Sequence, residues 1–376
     1  MVTITQHPSD ISLAGNPVLL NAYSGLSEKT FLKICAEVNV SIYQRSSLLA
    51  SFTRPLSIPT SGGNEAVEFD LSDIMQSALS QLGVERCKAL ADGGVPSYTS
   101  GYVRYTAKVW DEYLDEHAEV VSTKDSASSS TGVKYAIPGA YTDMQRLLRP
   151  EDTESFLGSA KILSNKPDFE VVPAGGSMVV PVYSNSSKSL SVRLNEGSGS
   201  SLGSASLYEN EVAWCKVSLP TSVSGINSLV FGNISVPPVF FYAVPGQPFA
   251  TCFEFVNRLG AVESVYTYGR RQLKRKLTQE RQTVRHNKSF RPNARYVKRT
   301  LQEEETIVMS TGPVSREWAK WFVSEFFVAE KVWMYSDDAS DMVPVIVECD
   351  EDLSVFNESE AEVLDLQFTV VKCING

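Results

Sequence analysis

Histidine and catalytic signatures are scarce in this sequence. Its 376 residues include three histidines, His7, His117 and His286, which lie far apart along the chain. No HExxH, GxSxG, P-loop or GxGxxG pattern occurs, so the common signatures of metal-dependent hydrolysis, serine nucleophiles and phosphate-binding loops are missing. The sequence therefore predicts a protein that is not an enzyme and that uses no catalytic residue, metal ion or cofactor.

Paired cysteines and long apolar runs are missing as well. Six cysteines occur without a CxxC pair, and five of them lie within apolar runs: Cys35, Cys215, Cys252, Cys349 and Cys373. This pattern is typical of buried free thiols in a reducing compartment rather than of disulfides or a zinc site. The N-terminus lacks the pattern of a signal peptide, and no apolar run reaches the length of about 18 residues that a membrane-spanning helix needs. We expect neither export by a signal peptide nor a membrane span.

Short runs rich in β-branched and aromatic residues dominate what is present. Examples are ICAEVNVSIYQR, GYVRYTAKVW, MVVPVYSN and LVFGNISV, which alternate with Gly, Pro, Ser and Asn. A hydrophobic content of 43% with 21% charged residues is that of an ordinary folded protein. The sequence predicts a mainly β fold of two or three β-sandwich domains, Ig-like or jelly-roll-like, with a few short helices.

Helical periodicity is confined to two segments. In LSDIMQSALSQL, Ser72 or Asp73 could cap a short helix. In GPVSREWAKWFVSEFFV, Ser315 precedes aromatic residues at helical spacing, which predicts a core-facing helix over about 315–327.

Breaks in the strand pattern divide the chain into three predicted ranges. The pattern restarts near residue 166 in LSNKPDFEVVPAGGS, and YAVPGQPF interrupts it again. We therefore predict an N-terminal β-sandwich domain over 1–165, a middle β domain over 166–245 and a C-terminal β domain over 246–376. The last two could share one core.

Positive charge is concentrated in one stretch of the third range, residues 269–300, which we call the basic ribbon. It contains one acidic residue, whereas the rest of the chain holds 22 basic and 43 acidic residues and carries a net charge of −21. The twelve basic residues of the ribbon are Arg270, Arg271, Lys274, Arg275, Lys276, Arg281, Arg285, Lys288, Arg291, Arg295, Lys298 and Arg299.

The basic ribbon allows three interpretations. It could contact DNA phosphates, although aromatic residues for base stacking are limited to Phe290 and Tyr296. It could be a solvated edge strand kept soluble by its charge. Along LTQERQTVRH neither face of a strand is apolar, so its register is weakly specified and its edge invites another chain. We therefore expect a neighbouring subunit to supply strand pairing and opposite charge, giving a closed homo-oligomer, most simply a ring.

A binding module for host polysaccharide is the alternative function. Sugar sites need exposed aromatic platforms with polar neighbours. Candidates for such a platform are Tyr98, Tyr102 and Tyr105, or Trp333 and Tyr335. A glycan-cleaving enzyme would need a carboxylate pair at a defined separation, and nothing in the sequence fixes such a spacing.

The stretch FEFVNRLGAVESVYTYG resembles a motif in a family of structural proteins encoded by phages and prophages of Bacteroidetes gut bacteria. The matching positions are Phe255, Asn257, Gly260, Glu263 and Tyr266. The segments SLAGNPVLLNAY, VEFDLSDIMQSAL and IVMSTGPVSREWAKWFVSEFF are similar to other parts of that family.

The resemblance implies a virion component such as a tail, neck or baseplate protein, built from β-sandwich domains. Such a protein would be assembled in the bacterial host cytoplasm and located in the virion, with other tail or virion proteins as partners. The motif marks turns and core positions, so no catalytic residue is carried over.

Overall fold

The computed structural model describes residues 2–63, 65–83, 97–141, 157–195, 199–246, 249–284, 295–336, 341–349 and 363–372. Within them the chain is mainly β, with short helices, and its strands form several sheets arranged as β-sandwich-like domains. The predicted fold class is confirmed.

The first group of elements runs from the N-terminus to residue 137. It comprises β1 (Val2–Gln6), β2 (Ile11–Leu13), β3 (Leu19–Ser24), β4 (Thr30–Gln44), β5 (Ser47–Pro59), β6 (Ala66–Asp70), α1 (Ser72–Leu79), β7 (Ser97–Thr99), β8 (Tyr102–Leu114), β9 (Val120–Ser122), β10 (Ser129–Ser130) and β11 (Lys134–Ile137). One sheet has the order β1-β3-β6, and a second has the order β2-β11-β8-β4-β5, with β9 and β10 also paired to β8.

Alternation along β4 explains why the core of this part lies on one side of its sheet. Every second residue from Ile34 to Ile42 is at most 1% exposed and belongs to one apolar cluster, which also holds residues of β3, β6, α1 and β8. Successive side chains of a strand point to opposite faces, so this period of two places the apolar set on the inner face.

The second group of elements forms two further sheets. It comprises β12 (Lys161–Ile162), β13 (Glu170–Pro173), β14 (Ser177–Ser184), β15 (Lys188–Leu194), β16 (Ser201–Leu207), β17 (Glu211–Ser218), β18 (Gly225–Gly232) and β19 (Val239–Val244). The orders are β12-β14-β17-β7 and β13-β19-β18-β15-β16. Because β7 pairs with β17, the predicted ranges 1–165 and 166–245 contribute to one sheet.

Of the described elements, the third group contains the longest strand and a further helix. It comprises β20 (Thr251–Val256), β21 (Val262–Thr267), β22 (Gln272–Val284), β23 (Arg295–Ser310), β24 (Val314–Ser315), α2 (Arg316–Trp321), a π-helical turn (Phe322–Phe326), β25 (Val332–Ser336), β26 (Asp341–Glu348), β27 (Val363–Leu364) and β28 (Gln367–Lys372). The large sheet has the order β21-β20-β25-β26-β28-β23-β22, and β24 pairs with β27.

Contacts divide the chain into two compact units. The first consists of Met1–Val244 with Val256–Glu263, and the second of Pro245–Phe255 with Ser264–Gly376. The predicted division into three ranges stays a prediction.

The second unit is organised around the aromatic helix that the sequence predicts. Ser315 caps α2 by accepting a hydrogen bond of 3.3 Å from the backbone N–H of Trp318. The rings of Phe322 and Phe326 stack at 4.5 Å, and Phe255 meets Phe326 edge-on at 5.3 Å. These rings are fully buried, so the aromatic residues of this segment are core rather than a ligand platform.

The predicted cap of α1 is wrong. Neither Ser72 nor Asp73 is the N-cap; that position is Leu71, which makes no side-chain cap hydrogen bond. The carboxylate of Asp70 takes over this role, because its Oδ1 accepts the backbone N–H of Ser72 at 2.9 Å and that of Val18 at 3.1 Å.

The cysteines partly follow the expectation of buried free thiols. Cys35, Cys215, Cys252 and Cys349 form no disulfide, and the first two are buried. Burial raises the pKa of both buried thiols to about 12, so they are poor nucleophiles at neutral pH. The prediction is wrong for Cys349, which is exposed at the end of β26, and Cys252 is half-buried. Cys373 lies outside the described residues.

Candidate functional site

The motif FEFVNRLGAVESVYTYG forms a tight turn between β20 and β21. The backbone N–H of Asn257 donates to Ala261 O at 2.9 Å, and that of Gly260 donates to Asn257 O at 2.9 Å. The side chain of Asn257 closes the turn, since its Oδ1 accepts the backbone N–H of Ala261 at 3.0 Å. Gly260 has φ +74°, a left-handed conformation that favours glycine.

The same asparagine connects the turn to a buried carboxylate. Asn257 Nδ2 donates to Leu163 O at 2.8 Å and to Glu263 Oε1 at 3.2 Å. The other carboxylate oxygen, Glu263 Oε2, accepts the hydroxyl of Ser164 at 2.5 Å. Asn257 is 4% exposed and Glu263 is 1% exposed. The turn therefore fixes Glu263 from one side while the segment after Leu163 fixes it from the other.

The two aromatic positions of the motif are core residues of the second unit. Phe255 is fully buried and Tyr266 is 6% exposed. The five motif residues thus occupy turn and core positions.

Glu263 lines a cavity of about 420 Å³ in the first unit. The rest of the cavity wall consists of parts of segments 159–170 and 235–240 and of residues 178–181 of β14. The last two residues of 235–240 are the first two of β19. The strand pairings of β12 with β14 and of β13 with β19 bring these stretches together, because β12 and β13 lie at the two ends of the segment that covers the cavity.

A buried ion pair forms part of the cavity wall. Lys166 Nζ lies 2.8 Å from Glu170 Oε2, and their side chains are 12% and 3% exposed. The backbone N–H of Lys166 also donates to the hydroxyl of Ser164 at 3.0 Å, so the same hydroxyl that holds Glu263 holds the start of this segment. Buried charges of this kind are costly unless they are paired, and here the pair orders the cavity wall.

Two phenylalanines lie beside the cavity. Phe240, which lines it, is 37% exposed, and its ring centroid is 5.7 Å from that of Phe169, which is 53% exposed. Phe169 has φ +67°, an unusual conformation for a bulky residue, and its backbone N–H donates to Phe240 O at 3.0 Å.

The aromatic residues proposed from sequence as sugar platforms have different environments. Tyr105 is 1% exposed and belongs to the core, so it is not available as a platform. Tyr102 is half-buried and stacks on Tyr43 with centroids 5.2 Å apart. Trp333 is half-buried and Tyr335 is 42% exposed on β25.

The basic ribbon forms a hairpin within one chain. Strand β22 pairs with β23 in antiparallel register from Gln272↔Val308 to Val284↔Arg295. The expectation that a second subunit supplies the partner of this strand is therefore wrong for one edge of β22. Sequence reasoning missed the partner because β23 is also polar, although the acidic run QEEE at 302–305 was a signal for it.

The hairpin extends beyond the sheet to which it belongs. Strand β28 pairs with β23 from Thr306 to Ser310 only. Over 295–305 the described neighbour of β23 is β22, and β22 is the edge strand of the sheet. We call residues 275–284 and 295–305 the arm.

The twelve predicted ribbon residues are described to different extents. Arg270, Arg271, Lys274 and Arg275 are exposed. For five others the backbone alone is described within the strands: Lys276, Arg281, Arg295, Lys298 and Arg299. Three lie outside the described residues: Arg285, Lys288 and Arg291.

Opposite charges face each other in register at the base of the arm, and farther along it one pair is opposite in charge and the next is alike. Near the sheet, Arg275 pairs in register with Glu305, and Lys276 with Glu304. Farther out, Glu280 stands opposite Arg299, and Arg281 stands opposite Lys298. Residues 269–300 as a whole contain twelve basic residues and one acidic residue, so the basic ribbon is strongly positive.

Glu305 anchors the base of the arm. Its Oε2 accepts from Arg275 Nε at 3.1 Å, and its Oε1 lies 2.7 Å from Lys372 Nζ of β28. The hydrogen bond from Lys372, followed by the charges of Lys372 and Arg275, holds the pKa of Glu305 below its usual range. Because the pKa is lowered in the folded state, the ionised carboxylate stabilises the fold at pH values above its ordinary pKa. This stabilisation is lost as the pH falls through the lowered pKa.

Replacing Glu305 with glutamine should therefore lower the stability of the protein at pH 7. We expect a loss of about 1 kcal/mol, since water screens the exposed guanidinium of Arg275. The difference between the variant and the wild type should shrink as the pH is lowered to 3. Urea unfolding at the two pH values measures it, with the exposed Glu68→Gln variant as the control; equal stability of Glu305→Gln and the wild type at pH 7 would contradict the anchoring role.

Comparisons with known proteins do not identify a family for this chain. No family model and no curated protein matches the chain. Among solved structures, trypsin-activated alpha-2-macroglobulin from Escherichia coli is 11% identical with a TM-score of 0.23, and the match covers 98% of this chain and 21% of that one. CBD12 from CALX1.2 is 6% identical with a TM-score of 0.16, covering 59% and 76%. The calcium binding domain CBD12 of CALX1.1 is 8% identical with a TM-score of 0.18, covering 63% and 82%.

These likenesses support no inference about function. This chain spans about a fifth of the length of the macroglobulin. Within the described residues, no group of three or more His, Cys, Asp or Glu side chains could hold a metal ion. No helix in the described part of the chain is long and apolar enough to cross a membrane.

Proposed function

We propose that the protein is a non-enzymatic structural component of a bacteriophage virion, such as a tail, neck or baseplate protein. It assembles with copies of itself into a ring or array, and the arm supplies contacts between copies. The observation that carries the assembly role is a strand pair that extends beyond its own sheet.

The geometry of the arm favours a contact with another chain. A two-stranded hairpin without further strands or a packed face is marginally stable in water. Over 295–305 the described strand neighbour of β23 is β22 alone, and the outer edge of β22 presents backbone groups for pairing. Edge strands of this length are sites at which another chain can add.

The charge of the arm favours an acidic partner. Outside the basic ribbon the chain carries a net charge of −21. A second copy therefore offers an acidic surface that would attract the basic residues of the ribbon. Heterologous contacts of this kind, in which two different surfaces meet, close into rings or stack into arrays.

The sequence resemblance supports the virion part of the proposal. The motif residues Phe255, Asn257, Gly260, Glu263 and Tyr266 serve the fold, as is expected for a structural protein family. Such a protein is assembled in the bacterial host cytoplasm, resides in the virion and contacts other tail or virion proteins.

A double charge reversal tests the assembly role of the arm. In Arg281→Glu with Lys298→Glu, the two positions that face each other still carry charges of one sign, while the charge that they present to a partner is inverted. Light scattering after size-exclusion chromatography should show wild-type oligomers well above the 41.3 kDa monomer at low salt, and a partial or full shift to monomer at high salt. The double variant should be monomeric under both conditions.

The matched control is Lys188→Glu with Arg193→Glu, which makes the same change in net charge at two exposed residues of β15. This variant should assemble as the wild type does. A wild-type protein that is monomeric at every salt concentration, or an arm variant that assembles normally, would contradict the proposal. Assembly that requires added double-stranded DNA would show that the arm binds phosphate instead of an acidic protein surface.

A further inference from the structure

We propose that the cavity beside Phe240 is a binding site for a neutral saccharide. The site lies in the first unit and contains no residue of the arm. Failure of this proposal would therefore leave the assembly role unaffected, and the reverse also holds. Its volume of about 420 Å³ is within the range of small-molecule sites, which is about 300–1,000 Å³.

The polar groups of the wall are held in place before any ligand arrives. Glu263 is fixed by hydrogen bonds from Asn257 and Ser164, and Lys166 is held by Glu170. A ligand that binds such a wall does not have to order these side chains, so less of the binding free energy is lost to entropy. Carboxylate oxygens accept hydrogen bonds and an ammonium donates them, which matches hydroxyl groups that can do both.

The balance of charge in the wall favours a ligand without net charge. Two lysines and three acidic residues line the cavity: Lys161, Lys166, Asp168, Glu170 and Glu263. A phosphate or a strongly cationic group would meet charges of its own sign close to those of the opposite sign. A neutral polyhydroxylated ligand meets no such repulsion and can bond to both kinds of group.

The apolar side of the cavity suits the C–H face of a sugar ring. The cavity is lined on this side by Pro237, Pro238 and Phe240. The ring of Phe169 packs against that of Phe240. Phe169 keeps its half-exposed position in a left-handed backbone conformation, φ +67°, which is unfavourable for a bulky residue. Strain of this kind is concentrated at functional sites, where the surrounding structure holds it.

A glycan array carrying neutral and acidic oligosaccharides from bacterial surfaces, probed with the full chain, tests the site. We expect binding to neutral glycans, and saturation-transfer NMR with the best of them should place the sugar protons against aromatic side chains. Phe240→Ala should weaken binding about tenfold, because one stacking ring is lost. Phe240→Trp keeps an aromatic face and should retain most of the affinity.

Tyr335→Ala is the matched control, since it removes an aromatic residue of similar exposure, 42% against 37%, from a strand of the other unit. It should bind as the wild type does. Binding that survives Phe240→Ala and is lost in Tyr335→Ala would overturn the assignment to the cavity. So would a wild-type protein that binds no glycan on the array, or one that binds acidic glycans alone.

Discussion

Replacing Gly260 with alanine should destabilise the protein by more than about 3 kcal/mol, a loss that only a few kinds of substitution cause. Gly260 has φ +74°, and a Cβ atom there would lie 2.5 Å from the carbonyl carbon of Pro138 and 2.7 Å from the backbone nitrogen of Gly139. The left-handed conformation alone costs an alanine about 1 kcal/mol. The overlap adds to this, because backbone atoms cannot move aside as a flexible side chain can. Urea unfolding of the variant and the wild type measures the loss.

Gly63→Ala separates the two contributions. Gly63 has φ +70°, nearly the same backbone conformation, and no heavy atom lies within 4 Å of a Cβ placed there. This variant should lose only the cost of the conformation, about 1 kcal/mol. Equal losses in the two variants would mean that the turn does not approach residues 138–139 as closely as the structure shows.

The close approach has a counterpart at Gly139, which shows that the contact is a property of both segments. A Cβ on Gly139 would lie 2.3 Å from the carbonyl carbon of Leu259. Two glycines therefore allow two backbones to meet, and this contact sets the position of the turn that carries Asn257. Packing and hydrogen bonding thus account for the glycine and the asparagine of the motif.

Much of the fold follows from local sequence patterns. The alternation along β4 and the aromatic spacing after Ser315 are each enough to predict the element and its buried face, because period and capping are encoded by adjacent residues. The cap of α1 was missed because Asp70 lies one residue before the expected position and also serves Val18, a distant residue.

The parts that could not be predicted depend on contacts between distant residues. Ser164 and Glu263 meet across 99 residues of sequence, and no local pattern marks either of them as part of a cavity. The pairing of β22 with β23 joins two polar strands, so burial gives no register, and only the opposition of Arg275 and Lys276 to an acidic run indicates it. The sequence does identify the residues of the motif, but not the cavity wall that the motif positions.

The second large effect is expected for Asn257→Ala, which should lose about 3 kcal/mol of stability. The substitution removes one side chain that donates to Leu163 O and to Glu263 Oε1 and accepts from the backbone N–H of Ala261. Asn257 is 4% exposed, so the groups it leaves behind are buried, and a buried polar group that loses its partner costs about 1–3 kcal/mol. Urea unfolding again measures the loss, and saccharide binding should weaken with it because Glu263 loses one of its supports.

Asn233→Ala is the matched control for this loss. The Asn233 side chain also donates to a backbone carbonyl, Ser189 O at 2.8 Å, but it is exposed, so water can replace the bond. We expect a change within about 0.5 kcal/mol for this variant, as for most surface substitutions. If Asn257→Ala were equally mild, the side chain of Asn257 would not be what holds the turn to the segment at Leu163. Its loss would then leave the position of Glu263, and with it the cavity wall, unchanged.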